Sequence, residues 1–292
     1  MRTLVFGGNG MLGHKLVQVL GTRFEVWTTI RSPFSEIERF GIFDRERTIE
    51  RIDVNDIRSI RHAIETAKPE VVINAAGIIK QVSISQDVIQ TLAINSVFPQ
   101  RLAELSREYE FRFITVSTDC VFSGKKGNYT EADVPDADEL YGISKFLGEA
   151  KDNNCLTIRT SLIGREIISS RSLVEWFLGN RGKTVKGYIN AIYTGFPTIV
   201  LAEIISGIIV DHPELQNVYH VSTDAINKFE LLSLLNKYYK TNVNIEPFED
   251  YVMDRSLDSS AFRRATGFSP PDWEQMIEQM AADPTPYETW RK

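Results

Sequence analysis

Six short apolar runs, "TLVFGG", "FEVWTTI", "RTIERIDV", "EVVINAAG", "FRFITVSTD" and "CLTIRTSLIG", recur through the first 160 or so residues. Helical patterns separate several of them: from about Gly10 to Leu20, through Ile57, Ile60 and Ile64, and along "DVIQTLAINSVFPQRLAELSREY". A run such as "EVVINAAG" has no polar face, so it suits a strand covered on both sides. Strand and helix in alternation give a parallel sheet with helices on both faces. The expected fold is therefore α/β, a doubly wound parallel sheet of Rossmann type with a smaller C-terminal lobe. After about Arg165 the pattern is less regular: "SLVEWFLGN" and "FPTIVLAEIISGIIVD" read as helices, "VYHVST" as a strand and "WEQMIEQMAA" as a last helix. Residues 1–163 are expected to form the first domain, elements from about 195–223 return to it, and 164–292 make the smaller lobe.

Ligands of such sheets bind beyond the carboxyl ends of the strands. "FGGNGMLG" places Gly7, Gly10 and Gly13 between the first strand and first helix, although the usual spacing is Gly-x-Gly-x-x-Gly. Gly7 permits a tight turn, Gly10 a close approach to a pyrophosphate and Gly13 close packing of helix on sheet. Asn9, Met11 and Leu12 complete a dinucleotide-binding turn. Further strand ends bring Asp53 and Val54, then Ala75, Ala76 and Gly77. Asp53 could accept from an adenine amine or cap the next helix. Where many such folds have an acidic residue for the ribose, "TTIRS" offers Arg31. It is either a ligand for a 2′-phosphate, which points to NADPH and leaves NADH open, or a solvated surface cation.

The stretch "ELYGISKFLGEA" puts Tyr141 four residues before Lys145, on one helical face. Ile143, Phe146, Leu147 and Ala150 are expected to form its buried face. With these pieces in order the chain resembles an extended short-chain dehydrogenase/reductase, and more narrowly the dTDP-4-dehydrorhamnose reductase family. The motifs are "GGNGMLG", "VVINAAG", "VSTDCVFSGKKGNYTEAD", "YGISKFLGE", "IRTS", "FPT" and "RSLDSS", spread over nearly the whole chain. The resemblance implies a catalytic set of Thr118, Tyr141 and Lys145, and NADPH-dependent reduction of the C4 ketone of a nucleotide-linked 4-keto-6-deoxyhexose for cell-surface polysaccharide. Hydride addition leaves negative charge on the carbonyl oxygen, which Thr118 would stabilise and Tyr141 protonate. Lys145 would lower the phenol's pKa and hold the nicotinamide ribose. Asn95 would support the site structurally.

Two departures from the family pattern bear on the sugar. Cys120 stands where Ser-Thr-Asp-Tyr is common and Leu162 where Arg-Thr-Ser-Trp is common. Either neighbours refill the space around the dTDP-linked rhamnose precursor, or the pocket takes a bulkier sugar such as a UDP-linked 2-acetamido one. Arg255 is the candidate for the diphosphate, with a surface salt bridge as its alternative. Two other readings remain: an epimerase or dehydratase, which Cys120 in place of an acidic residue disfavours, and an NADP-binding regulatory subunit without turnover.

A net charge of −6 offers no general basic surface for nucleic acid. No apolar run reaches the roughly 18 residues of a membrane span, and no signal peptide is expected. With only two cysteines, Cys120 and Cys155, a cytoplasmic protein is expected. No ligand cluster for a metal is seen, and a homodimer is allowed.

Overall fold

The computed structural model describes residues 1–79 and 87–290. The central sheet contains β1 (Arg2–Phe6), β2 (Glu25–Thr29), β3 (Thr48–Ile49), β4 (Val71–Asn74), β5 (Arg112–Val116), β6 (Cys155–Arg159) and β11 (Asn217–His220), all parallel, in the order β11-β6-β5-β4-β1-β2-β3. Phe6 at the end of β1 is level with Thr29 on one side and Asn74 on the other. The order reverses between β1 and β4, and the crevice at such a reversal is where these sheets take ligands.

Successive strand residues point to opposite faces, and here both faces are apolar. Leu4, Phe6, Val72 and Phe113 meet Ile60 and Ile64 of α2 (Ile57–Ala67) and Leu102 and Leu105 of α4 (Phe98–Glu108). Val5, Ile73, Ile114 and Ile158 meet Leu16 of α1 (Gly13–Leu20) and Val200, Leu201 and Ile205 of α7 (Thr198–Asp211).

The second apolar cluster continues without interruption into the C-terminal lobe. It takes in Leu231 and Leu235 of α8 (Lys228–Tyr239) and Met276 and Ile277 of α10 (Trp273–Ala281). The lobe also carries α6 (Leu173–Leu178), α9 (Ser260–Thr266) and small sheets. These pair β7 (Leu162–Ile163) with β10 (Phe196–Pro197) and β8 (Thr184–Tyr188) with β13 (Asn244–Phe248). A third has the order β12 (Ile226–Asn227), β9 (Ala191–Tyr193), β14 (Met253–Asp254). The last helix, α11 (Tyr287–Trp290), returns to α1: the Tyr287 hydroxyl lies 2.7 Å from His14 Nε2, and Asp283 pairs with Lys15.

Three local expectations change. The third strand stops at Ile49, because Arg51 turns the backbone left-handed at φ 60°. The helix expected from Asp87 is broken: α3 (Val88–Leu92) and α4 are joined by a π turn over Ala93–Val97. In α5 (Leu140–Leu147) the face turned inward holds Gly142 and Ser144, while Ile143 and Leu147 are 39% and 51% exposed. Among the described residues no helix is long and apolar enough to cross a membrane.

Candidate active site

The turn after β1 brings the chain close to the end of β4. Gly7 has φ +83°, and a Cβ there would stand 2.9 Å from the backbone N and Cα of Ala76. Gly10 N donates to Gly7 O at 3.0 Å, closing the turn. Gly13 packs directly on Gly7, where a side chain would overlap the Gly7 carbonyl. Asn9, Gly10 and Met11 are partly exposed and Leu12 is buried, and at the start of α1 His14 N donates to Gly10 O at 3.2 Å and Leu16 N to Leu12 O at 3.0 Å. The exposed turn precedes the positive end of the α1 dipole, which favours an anion there. Opposite it, Asn74 Oδ1 takes the amide of Ala76 at 3.1 Å, and Gly77 is exposed. This is a cradle that fits a dinucleotide pyrophosphate.

Arg31 is exposed just beyond β2 and makes no ion pair among the described residues. Asp53 is also exposed, with Val54 half-buried beside it. Asp53 Oδ1 accepts the Asn55 amide at 2.9 Å, a local turn, and the cap of α2 is Asp56, which accepts from Arg58 N at 2.9 Å. The capping alternative for Asp53 is therefore set aside.

Thr118, Tyr141 and Lys145 come together beyond β5. Thr118 caps a tight turn over Asp119–Val121: its hydroxyl accepts the Cys120 amide at 3.1 Å and donates to Asp119 Oδ1 at 3.2 Å. The Tyr141 phenol lies near it. Burial pushes that phenol above its ordinary value, Cys120 and Asp119 push it further, and the Thr118 hydroxyl acts against them. The sequence-based expectation of a lysine-lowered phenol is reversed here by desolvation. Lys145 Nζ instead donates to the Val116 carbonyl at 2.7 Å. Burial brings Lys145 down to about 8, opposed by the Glu149 carboxylate.

Asn95 secures α5 from behind. Its side chain exchanges bonds with both backbone groups of Ile78, at 2.8 and 2.9 Å, and donates to Ser144 Oγ at 3.1 Å. Ser144 in turn donates to the Tyr141 carbonyl at 2.8 Å. The contact is thus made by the asparagine side chain, presented by the π turn.

On the lobe side, Arg255 is buried rather than a surface ion pair. Its Nη1 donates to Cys120 Sγ at 3.3 Å, and its Nε has no partner. Burial pushes the Cys120 thiol up to about 12, with Asp119 adding to the effect, so it stays protonated. Leu162 is half-buried in β7. Two residues not anticipated from sequence belong here. Buried Asp119 has its carboxyl pushed up by desolvation, against the pull of Arg255. Tyr193 is buried with its hydroxyl unpartnered, close enough to Asp119 for that carboxyl to push its phenol up further. Over this side, Tyr129 of the 124–139 loop stacks on Phe122 at 4.1 Å, so the loop is anchored at its centre.

Comparison with known proteins places this arrangement. Residues 1–285 match the family model described as RmlD substrate binding domain. A dTDP-4-dehydrorhamnose reductase of Aggregatibacter actinomycetemcomitans is 25% identical, over 96% of this chain and 98% of that protein. The solved structure of a hypothetical dTDP-4-dehydrorhamnose reductase from Sulfolobus tokodaii superposes with a TM-score of 0.77 at 26% identity, covering 94% of this chain and 98% of that one. That of the Bacillus anthracis dTDP-4-dehydrorhamnose reductase in complex with NADP gives 0.78 at 21% identity, with coverage of 96% and 98%.

Proposed function

The chain belongs to the RmlD substrate binding domain family, and from that premise we propose that it is a sugar-nucleotide reductase that uses NADPH to reduce the C4 ketone of a 4-keto-6-deoxyhexose. The observation that carries the reading is the convergence of Thr118, Tyr141 and Lys145 beyond β5, across from the glycine turn. When bound, NADPH supplies the hydride, with NADH as the weaker alternative. The turn of Gly7, Gly10 and Gly13 holds its pyrophosphate, and Arg31 the 2′-phosphate.

A phenol pushed up by burial remains protonated at neutral pH, so Tyr141 is charged with the proton it must give. Its transfer leaves a phenolate in a low-dielectric site, which is costly unless a cation is near. Lys145 is that cation. Thr118 supplies a second hydrogen bond to the ketone oxygen once its hydroxyl turns from Asp119.

The finer reading concerns the sugar. Cys120 and Leu162 stand where aromatic side chains are common in the family, and the buried Arg255 donates to Cys120 Sγ at 3.3 Å. This supports a bulkier substrate, with a UDP-linked 2-acetamido-4-keto-6-deoxy sugar as the leading candidate. Arg255 stays the candidate for the diphosphate, since a guanidinium fork suits phosphate oxygens. A homodimer belongs to the same reading, supported by the exposed Val88, Ile89, Val97, Ile143 and Leu147 on neighbouring helical segments. The test is NADPH consumption with dTDP- and UDP-linked 4-keto sugars in competition. A catalytic efficiency at least tenfold higher on the dTDP-linked rhamnose precursor would reject the bulkier sugar while keeping the reductase, since tenfold is about 1.4 kcal/mol of transition-state preference.

A further inference from the structure

One buried carboxylate touches every element that carries the catalytic set. Glu149 lies one helical turn beyond Lys145, just after α5, and its side chain is fully buried. Its Oε1 accepts the hydroxyl of Ser117, the residue before Thr118, at 2.8 Å. Both its oxygens take the guanidinium of Arg159 at the end of β6, each at 2.7 Å. Arg159 reaches His220 Nε2 at the end of β11, 3.2 Å away, and His220 Nδ1 lies 3.0 Å from the carbonyl of Tyr129 in the loop over the site. The contacts thus run from α5 through three strand ends to that loop.

We propose that Glu149 is a positioning residue for the reaction, acting on Lys145 from the next helical turn and on Thr118 through Ser117. The inference rests on the reductase reading of the site. A bidentate, fully buried carboxylate–guanidinium pair has little freedom to move, so α5 and the ends of β5 and β6 are held at fixed relative depth. That depth decides whether phenol, ammonium and threonine hydroxyl address the same oxygen, and small misplacements are costly in such sites.

The charge of Glu149 matters as well as its bonds. The other titratable groups of the site are Asp119 and Cys120 in the turn after β5, which act on Tyr141, and Arg159 on β6 and His220 on β11, which face Glu149. The π turn and α3, which also pack on α5, carry none. Among these, Glu149 is the carboxylate that raises the Lys145 pKa against burial. Without it Lys145 would lose its proton nearer neutrality. Because the cationic form is the active one, activity is lost as pH rises through the Lys145 value.

The experiment is the pH dependence of kcat/KM for wild type, Glu149→Gln and the double variant Glu149→Gln/Arg159→Met, which leaves no unpaired buried charge. NADPH affinity is measured by fluorescence over the same range. With Glu149→Gln the alkaline limb should move down by about one pH unit, the scale of a removed neighbouring charge, and the double variant, which also loses the opposing Arg159 cation, should show a smaller downward shift. Ser117→Ala should lower kcat roughly tenfold, a modest share of a positioning effect, with the alkaline limb and NADPH affinity unchanged. A limb that stays in place in a folded, NADPH-binding variant overturns the proposal. If wild type reduces none of the keto sugars, the reductase reading fails separately, and the pH dependence of NADPH affinity decides the role of Glu149 by the same shift.

Discussion

Asp283→Asn should destabilise the protein by about 3 kcal/mol, although residue 283 lies far in sequence from its partner in α1. Lys15 and Asp283 form an ion pair with side chains 4% and 6% exposed. Lys15 Nζ also donates to Gln18 Oε1 at 2.7 Å and Thr285 Oγ1 at 2.8 Å, so all three of its protons are placed. Breaking a buried pair from one side costs about 3–5 kcal/mol, because the remaining charge is stranded. Neutralising the lysine sets a ceiling: at pH 7 that costs about 3.4 pH units at 1.36 kcal/mol each, or roughly 5 kcal/mol. The two retained hydrogen bonds bring the expectation to the lower end. In a chain of this size 3 kcal/mol corresponds to a Tm lower by about 5 °C. Lys15→Met/Asp283→Asn should recover more than half of the loss, since neither charge is left unpaired.

The same pair gives a pH signature. Burial alone would raise the Asp283 carboxyl, but the hydrogen bond and charge of Lys15 hold it below the ordinary range. Its contribution is therefore present above the unfolded value near 4 and is lost as pH falls through the depressed one. Wild type should lose stability in that window more steeply than Asp283→Asn. Calorimetry across pH 2–7 (roughly the span of carboxylate titration) measures both effects. A single variant within about 1 kcal/mol of wild type, with a double variant that is simply additive, would refute the reasoning.

Tyr141→Phe should retain NADPH binding and lose turnover by about 10²-fold or more, the scale of a removed general acid; single-turnover NADPH oxidation reads this directly. Arg31→Ala should weaken NADPH by about 1.5–3 kcal/mol and leave NADH unchanged, as judged by fluorescence titration of both cofactors. Equal weakening would remove Arg31 from the 2′-phosphate.

The central sheet was legible because its strands are apolar on both faces and its glycine turn follows the first of them. What failed was finer. In α5 Ile143 and Leu147 face outward although Phe146 and Ala150 are packed, because the helix approaches its neighbours through small residues. A Cβ on Gly142 would overlap the Cys120 carbonyl, and one on Gly148 would overlap the Asn95 carbonyl. Close packing of that kind removes the large side chains on which a periodicity argument depends. The π turn at Asn95 left no mark in the spacing of a chain that stays helical on both sides. By contrast α10 was legible in "WEQMIEQMAA" after "SPPD": Asp272 caps it by accepting from Gln275 N at 2.8 Å, and Met276, Ile277 and Met280 are buried on it.

Within the site, the turn and the Tyr141–Lys145 pair could be read because their spacing carries the chemistry. Asp119, Tyr193 and Glu149 could not, since they come together only after β5, β9 and α5 are placed in space. The environment of Tyr141 was equally hidden. Spacing suggested a phenol eased by a lysine, whereas its burial makes the phenol a weaker acid than in water.

The most direct test of the account follows the hydride itself. NADPH deuterated at the transferring position of the nicotinamide is incubated with the protein and a nucleotide-linked 4-keto-6-deoxyhexose, and the sugar product is examined by NMR. The account predicts deuterium on C4 with wild type, and little or none with Tyr141→Phe under the same conditions. Bound NADPH with no deuterium transferred to C4 of any sugar in the panel would contradict it.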